Sequence, residues 1–152
     1  SHASIMHNAL RIPQLERIVS VGIRDFCQQE NEVFLAAKDR VRIVRSADMR
    51  AMQYAGATWK DQCEAIINAL PEKVHISFDI DGLDPTLCPH TGTPVPGGLQ
   101  FEEATYLLSR LAAKRTIIGF DLVEVSPGKD EWDANVGARL LWHLCGVLAQ
   151  GR

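Results

Sequence analysis

The sequence predicts an α/β fold built on a largely parallel sheet, and two observations carry that expectation. Its apolar runs are short, rich in Val and Ile, and well separated. The stretches between several of them are about ten residues or longer and repeat apolar residues at helical spacing. Strands that alternate with such helices form βαβ units, whose sheet is parallel and covered on both faces. The 152 residues fit one domain, spanning 1–152, with a core of its own.

Four strands are expected: 19–23, ending in Arg24-Asp25; 41–44; 74–81; and 116–125. Between them, residues 32–38 fit a short helix, and Ser46 is placed to cap another that runs to about residue 53. Thr58 fits the N-cap of a helix to Leu70, with Cys63, Ile66, Ile67 and Leu70 on one face. A helix over 101–114 follows through Ala104, Leu107, Leu108 and Leu111. The last, over 136–149, should turn Leu140, Leu141, Leu144 and Leu148 inward.

Composition narrows the function classes. With 16 basic and 19 acidic side chains the formal charge is −3, and apolar residues make up 46%. That is ordinary globular composition, which excludes collagen, a coiled coil and a disordered tail. Lys and Arg are scattered and the balance is mildly acidic, so nucleic acid is not an expected partner. No apolar run approaches the roughly 18 residues of a membrane span, and no signal peptide is recognisable. The four cysteines lie far apart without a CxxC pair, which points to reduced thiols in a cytoplasmic protein. Because the chain opens on Ser1 rather than Met, it is expected to be cut from something longer.

The chemistry concentrates at the end of the third strand, which is apolar until it reaches Asp79 and Asp81. Residues i and i+2 of a strand share a face, about 6.5–7 Å apart. Two like charges at the rim of a buried sheet repel each other and resist desolvation, and a divalent cation relieves both costs. Ligands of open α/β sheets collect outside the carboxyl ends of the strands, where this pair falls. On spacing alone, capping of the following loop explains the two acids equally well.

The residues that follow shift the balance. Ser77-Phe78-Asp79-Ile80-Asp81-Gly82-Leu83-Asp84-Pro85 runs into Thr91-Gly92-Thr93-Pro94-Val95-Pro96-Gly97-Gly98-Leu99, and Gly119-Phe120-Asp121-Leu122-Val123-Glu124-Val125-Ser126-Pro127 comes later. Together with Gly22-Ile23-Arg24-Asp25, these segments resemble the ureohydrolase family of arginases and agmatinases, with its SFDxDxxDP, GTPxPGG and DxxEVxP patterns. The resemblance implies a three-layer αβα arginase-like fold and a hydrolase that splits a guanidino C–N bond to release urea. It implies two Mn2+ ions, whose shared water ionises near neutral pH, with Asp79 bridging both and Asp81 binding one. Glu124 would bind the guanidinium by a charge-assisted pair, an ordinary salt bridge being its alternative. His2 would pass a proton to the leaving amine, against the alternative of an exposed terminal histidine. The resemblance also implies a homo-oligomer, trimer or hexamer. The Pro94-Val95-Pro96-Gly97-Gly98-Leu99 form and the Ser1-His2-Ala3-Ser4 segment look nearest to agmatinases of polyamine metabolism. Arginase, guanidinobutyrase and formimidoylglutamase specificities stay open.

Other residues carry smaller expectations. Asp121 supports either a metal ligand or a local backbone bond; Asp84 shapes the turn before Pro85; Gly97-Gly98 allow a tight loop. His75 should be a satisfied core histidine, and His90 lies in the loop after the acid pair, where it could touch substrate or have no role. The GGDH-type and DAHxD metal segments of the family are not found in the 152 residues. The chain therefore reads as the carboxyl-terminal portion of one ureohydrolase domain, without its amino-terminal strands. On its own it is expected to bind manganese weakly or not at all and not to turn over substrate, acting as a stable fragment or one needing its other half. A DxDGT phosphohydrolase nucleophile is disfavoured because Leu83 stands where Thr is required and two strands precede. An EF-hand fails on acid and Gly placement.

Overall fold

A computed structural model of the chain describes residues 4–37 and 39–150. Four strands appear, β1 (Ile18–Ile23), β2 (Val41–Arg45), β3 (Lys73–Asp79) and β4 (Thr116–Val123). Six helices accompany them: α1 (Ile5–Ala9), α2 (Gln28–Ala36), α3 (Ser46–Tyr54), α4 (Trp59–Asn68), α5 (Phe101–Ala112) and α6 (Trp132–Gln150). The α/β class and the parallel pairing stand as expected. The single continuous sheet does not: β1 pairs β2, and β3 pairs β4, as two separate parallel ladders.

The β3–β4 ladder shows why these residues form strands. Val74 and Ile76 are buried on one face, opposite Ile117 and Phe120, while His75, Ser77 and Asp79 alternate to the other face and are exposed. The buried face joins a core with Leu108, Leu111, Val136, Leu140 and Leu144 from α5 and α6. One face of this ladder is thus covered among the described residues, where two were expected.

Helix ends follow local chemistry. Thr58 caps α4 in a reciprocal box: its hydroxyl accepts the Asp61 N–H at 3.1 Å, and the Asp61 carboxylate accepts the Thr58 N–H at 3.4 Å. Ser46 caps nothing. It is the first residue of α3, and the N-cap is Arg45, without a side-chain bond. In α6, Leu140 and Leu144 are fully buried, but Leu141 is 46% exposed; Val136 and Val147 complete the inner face instead. Two leucines in succession lie about 100° apart around a helix, so one of them must leave a narrow stripe. No described helix is long and apolar enough to cross a membrane, and all four cysteines are free.

Candidate active site

Strand β3 stops at Asp79 for a local reason. The Asp79 carboxylate accepts the Asp81 N–H at 3.1 Å and so caps a 3₁₀ turn over Ile80–Gly82. Asp81 therefore lies in that turn, not two positions along a strand, which corrects the expected geometry. The two acids are neighbours all the same. Burial by surrounding atoms pushes the Asp79 carboxyl up to about 6, and the charges of Asp81 and, more weakly, Glu124 add to the rise. The Asp81 N–H opposes it without prevailing. Three acids thus crowd one spot with insufficient positive charge, the electrostatic state that a bound cation relieves.

A network of backbone bonds holds this turn. Leu83 and Leu99 form an isolated parallel bridge; the Leu99 N–H donates to the Gly82 carbonyl at 3.0 Å and the Asp84 N–H to the Leu99 carbonyl at 2.9 Å. Arg24, just past β1, donates to the carbonyls of Gly22 at 3.1 Å and Val95 at 3.1 Å, and also to those of Asp81 and Gly82. One guanidinium thereby ties the end of β1 to the acid-bearing turn and to the glycine loop. The Thr93 hydroxyl donates to Asp81 at 3.1 Å. Asp84 shapes its turn as expected, accepting the Thr86 N–H at 3.0 Å and hydroxyl at 2.6 Å, and those bonds hold its carboxyl below the usual range.

Strand β4 ends at Val123, which pairs with Asp79. Glu124 is consequently beside the acid pair, but outside the strand that was expected to run to Val125. Its φ is +61°, the one positive φ among described non-glycine residues. The Thr91 hydroxyl donates to the Glu124 carbonyl at 3.0 Å, and a Cβ on Gly92 would stand 3.4 Å from Glu124 Oε2.

Other expectations resolve differently. His75 is exposed, not core; its Nε2 lies 2.9 Å from Asp121 Oδ2, while the Ser77 hydroxyl donates to Asp121 Oδ1 at 2.7 Å. Asp121 is thus a cross-strand acceptor between two β3 side chains. Asp79, Asp81 and Glu124 do not bring three ligand atoms within 4.8 Å of one another; among the described residues, His90, Asp130 and Asp133 do. Both oxygens of Asp133 already face donors of His90, the backbone N–H at 3.0 Å and ring Nδ1 at 2.8 Å. A metal there would have to displace that pair. His2 lies outside the described residues.

Sequence reasoning missed Arg24 as a clamp, and also Thr91, Thr93 and Asp133. Arg24, Thr91 and Thr93 each had a signal, lying inside segments already singled out as motifs, whereas Asp133 had none.

The comparisons identify the family to which the chain is similar. The model of the arginase family matches residues 1–146. An agmatinase of Pyrococcus horikoshii is 31% identical over 152 residues, 99% of this chain and 49% of its own length. The crystal structure of agmatine ureohydrolase of Thermoplasma volcanium superposes with a TM-score of 0.77 at 31% identity, covering 98% of this chain and 48% of that one. Proclavaminate amidino hydrolase from Streptomyces clavuligerus superposes with a TM-score of 0.83 at 25% identity, covering 99% and 50%. The chain spans half or less of the length of these relatives. With the family model matched over residues 1–146 and a relative 31% identical along almost the whole chain, the chain belongs to the arginase family.

Proposed function

We propose that the protein carrying this chain hydrolyses a guanidino C–N bond and releases urea or a urea-like product, with agmatinase-like specificity. The convergence of Asp79, Asp81 and Glu124 at the paired ends of β3 and β4 is the observation that supports it most. Asp79 and Asp81 are hard oxygen donors of the kind manganese prefers, and their mutual repulsion fits a divalent cation. Two carboxylates cannot complete the shells of two ions, so further donors come from elsewhere in the protein. When bound, Mn2+ supplies an acidified water near neutral pH.

The chain's own residues do the rest. Asp79 and Asp81 hold the metal, and Glu124 binds and orients the cationic guanidinium beside it. His2 carries a proton to the leaving amine. The isolated chain is proposed to be inactive, being a portion of a single ureohydrolase domain. The whole protein is proposed to be a cytoplasmic homo-oligomer, trimer or hexamer, in polyamine metabolism. A urea-release assay of the full-length protein with Mn2+ against agmatine, arginine and guanidinobutyrate tests the activity and separates the specificities.

Two expected results follow from the site. Glu124→Gln should lower kcat/KM about thirtyfold, the loss of one charge-assisted bond worth about 2 kcal/mol, with manganese content unchanged. Loss of manganese instead would reassign Glu124 as a ligand. The second concerns pH. An acid whose pKa is raised on folding binds more protons folded than unfolded, so metal-free protein should lose stability as pH rises from about 4 to about 6. Mn2+ takes the place of that proton. Its apparent affinity should therefore weaken roughly tenfold per unit below about pH 6 and level off above it. Calorimetric titration with Mn2+ reads this directly, and a pH-independent affinity would remove Asp79 from the ligand set.

A further inference from the structure

Glu124 raises a question that its role as a substrate carboxylate leaves unanswered. Along β4, Leu122 pairs with Phe78 and Val123 with Asp79. Strand alternation would send the next side chain back to the face of Leu122 and Phe78, both packed against the apolar core. A carboxylate there would be desolvated and far from the acid pair. The left-handed turn at Glu124, φ +61°, breaks the alternation. A non-glycine residue holds that conformation only where its surroundings impose it.

The surroundings are specific. The Thr91 hydroxyl, on a residue 5% exposed, donates to the Glu124 carbonyl at 3.0 Å. The backbone at Gly92 runs on beside the Glu124 carboxylate. The segment is itself anchored: His90 meets the carboxylate of Asp133, which is 1% exposed, through both its backbone N–H and its ring. Asp133 sits in the first turn of α6, where a carboxylate is favoured by the helix dipole. The chain leaving Glu124 is trapped on both sides. A Cβ on Gly128 would fall 2.3 Å from the His90 ring, and one on Gly137 of α6 would fall 2.9 Å from Val125.

We propose that His90 and Thr91 are positioning residues for Glu124, Thr91 holding its left-handed turn and the His90–Asp133 pair locking that segment to the start of α6. The role is in binding the guanidinium, and so rests on the function proposed above. It differs from a general structural role, because its effect must pass through the Glu124 carboxylate.

The test uses full-length, manganese-loaded protein. Thr91→Val should raise KM for the guanidino substrate roughly fivefold to tenfold, the loss of one neutral hydrogen bond, with kcat less affected and manganese content unchanged. Thr91→Ser should restore KM, and His90→Ala, which leaves the hydroxyl in place, should repeat the pattern more weakly. In a Glu124→Gln background, Thr91→Val should add almost nothing. Fully multiplicative effects of the two changes, loss of manganese, or failure of Ser to rescue would each overturn the inference. Should the unaltered protein release urea from no guanidino compound, the proposed activity falls alone. A crystal structure of the Thr91→Val protein then decides: Glu124 leaving the left-handed region supports the inference, and Glu124 keeping it overturns it.

Discussion

Asp79→Asn in the full-length protein is expected to abolish manganese-dependent urea release. The substitution is nearly isosteric, and the new amide oxygen can still accept the Asp81 N–H that the carboxylate accepts at 3.1 Å. The 3₁₀ turn and the fold should therefore survive. What disappears is the charge, and with it one of the two oxygens that could contact metal. The cost of burying a charged carboxylate, and the lesser like-charge repulsion, that together lift the Asp79 carboxyl to about 6 also disappear, so the metal-free variant should be no less stable than the parent near neutral pH. A drop in turnover of more than about a hundredfold, alongside depleted manganese and a melting curve no lower than the parent's when both are metal-free, is the anticipated pattern. Retention of more than about a tenth of the activity corresponds to less than roughly 1.4 kcal/mol of barrier and would remove Asp79 from the centre of the reaction.

The largest effect on stability is expected at Gly98→Ala. Gly98 has φ +107°, and a Cβ there would lie 2.5 Å from the Leu83 carbonyl oxygen and 2.8 Å from the Asp84 nitrogen. These are backbone atoms, so no rotamer change relieves the overlap. Leu83 is fully buried and bridged to Leu99, and Arg50 donates to the Gly98 carbonyl at 3.0 Å. The loop can move only by breaking the bonds that hold the acid-bearing turn. Backbone strain and overpacking together set the cost on the order of 3 kcal/mol, read as a lower midpoint in urea unfolding of the full-length protein. Gly146→Ala is the control of opposite sign. Inside α6 and with nothing within 4 Å of its added methyl, it should stabilise by about 0.5–1 kcal/mol. Equal midpoints for the two variants would contradict this account of the loop.

These two positions also show what a sequence discloses. Asp79, Asp81 and the paired glycines stood out as polar or flexible residues interrupting an apolar pattern, but spacing alone left metal binding and loop capping level, and Asp79 does cap the turn that follows. The strand order of events was legible too, since β3 and β4 alternate or run apolar as buried ladders must. Glu124 was found as a residue and missed as a conformation. Nothing in Val123-Glu124-Val125 announces a left-handed turn, because the cause lies in Thr91, 33 residues away. The His90–Asp133 pair was invisible for the same reason, spanning 43 residues. His75 was misplaced because alternation alone does not say which face of a ladder is covered. The split into two ladders was likewise beyond periodicity, which counts strands but does not pair them.

The backbone at residue 124 has one further implication. Any side chain other than hydrogen is disfavoured there by about 1 kcal/mol, so glycine would make the protein hardier while deleting the guanidinium contact proposed for Glu124. Under the proposed function, durability and turnover compete at a single codon. Selection for thermal endurance without an activity screen should drift toward glycine at that position, and a library built for robustness needs it held constant.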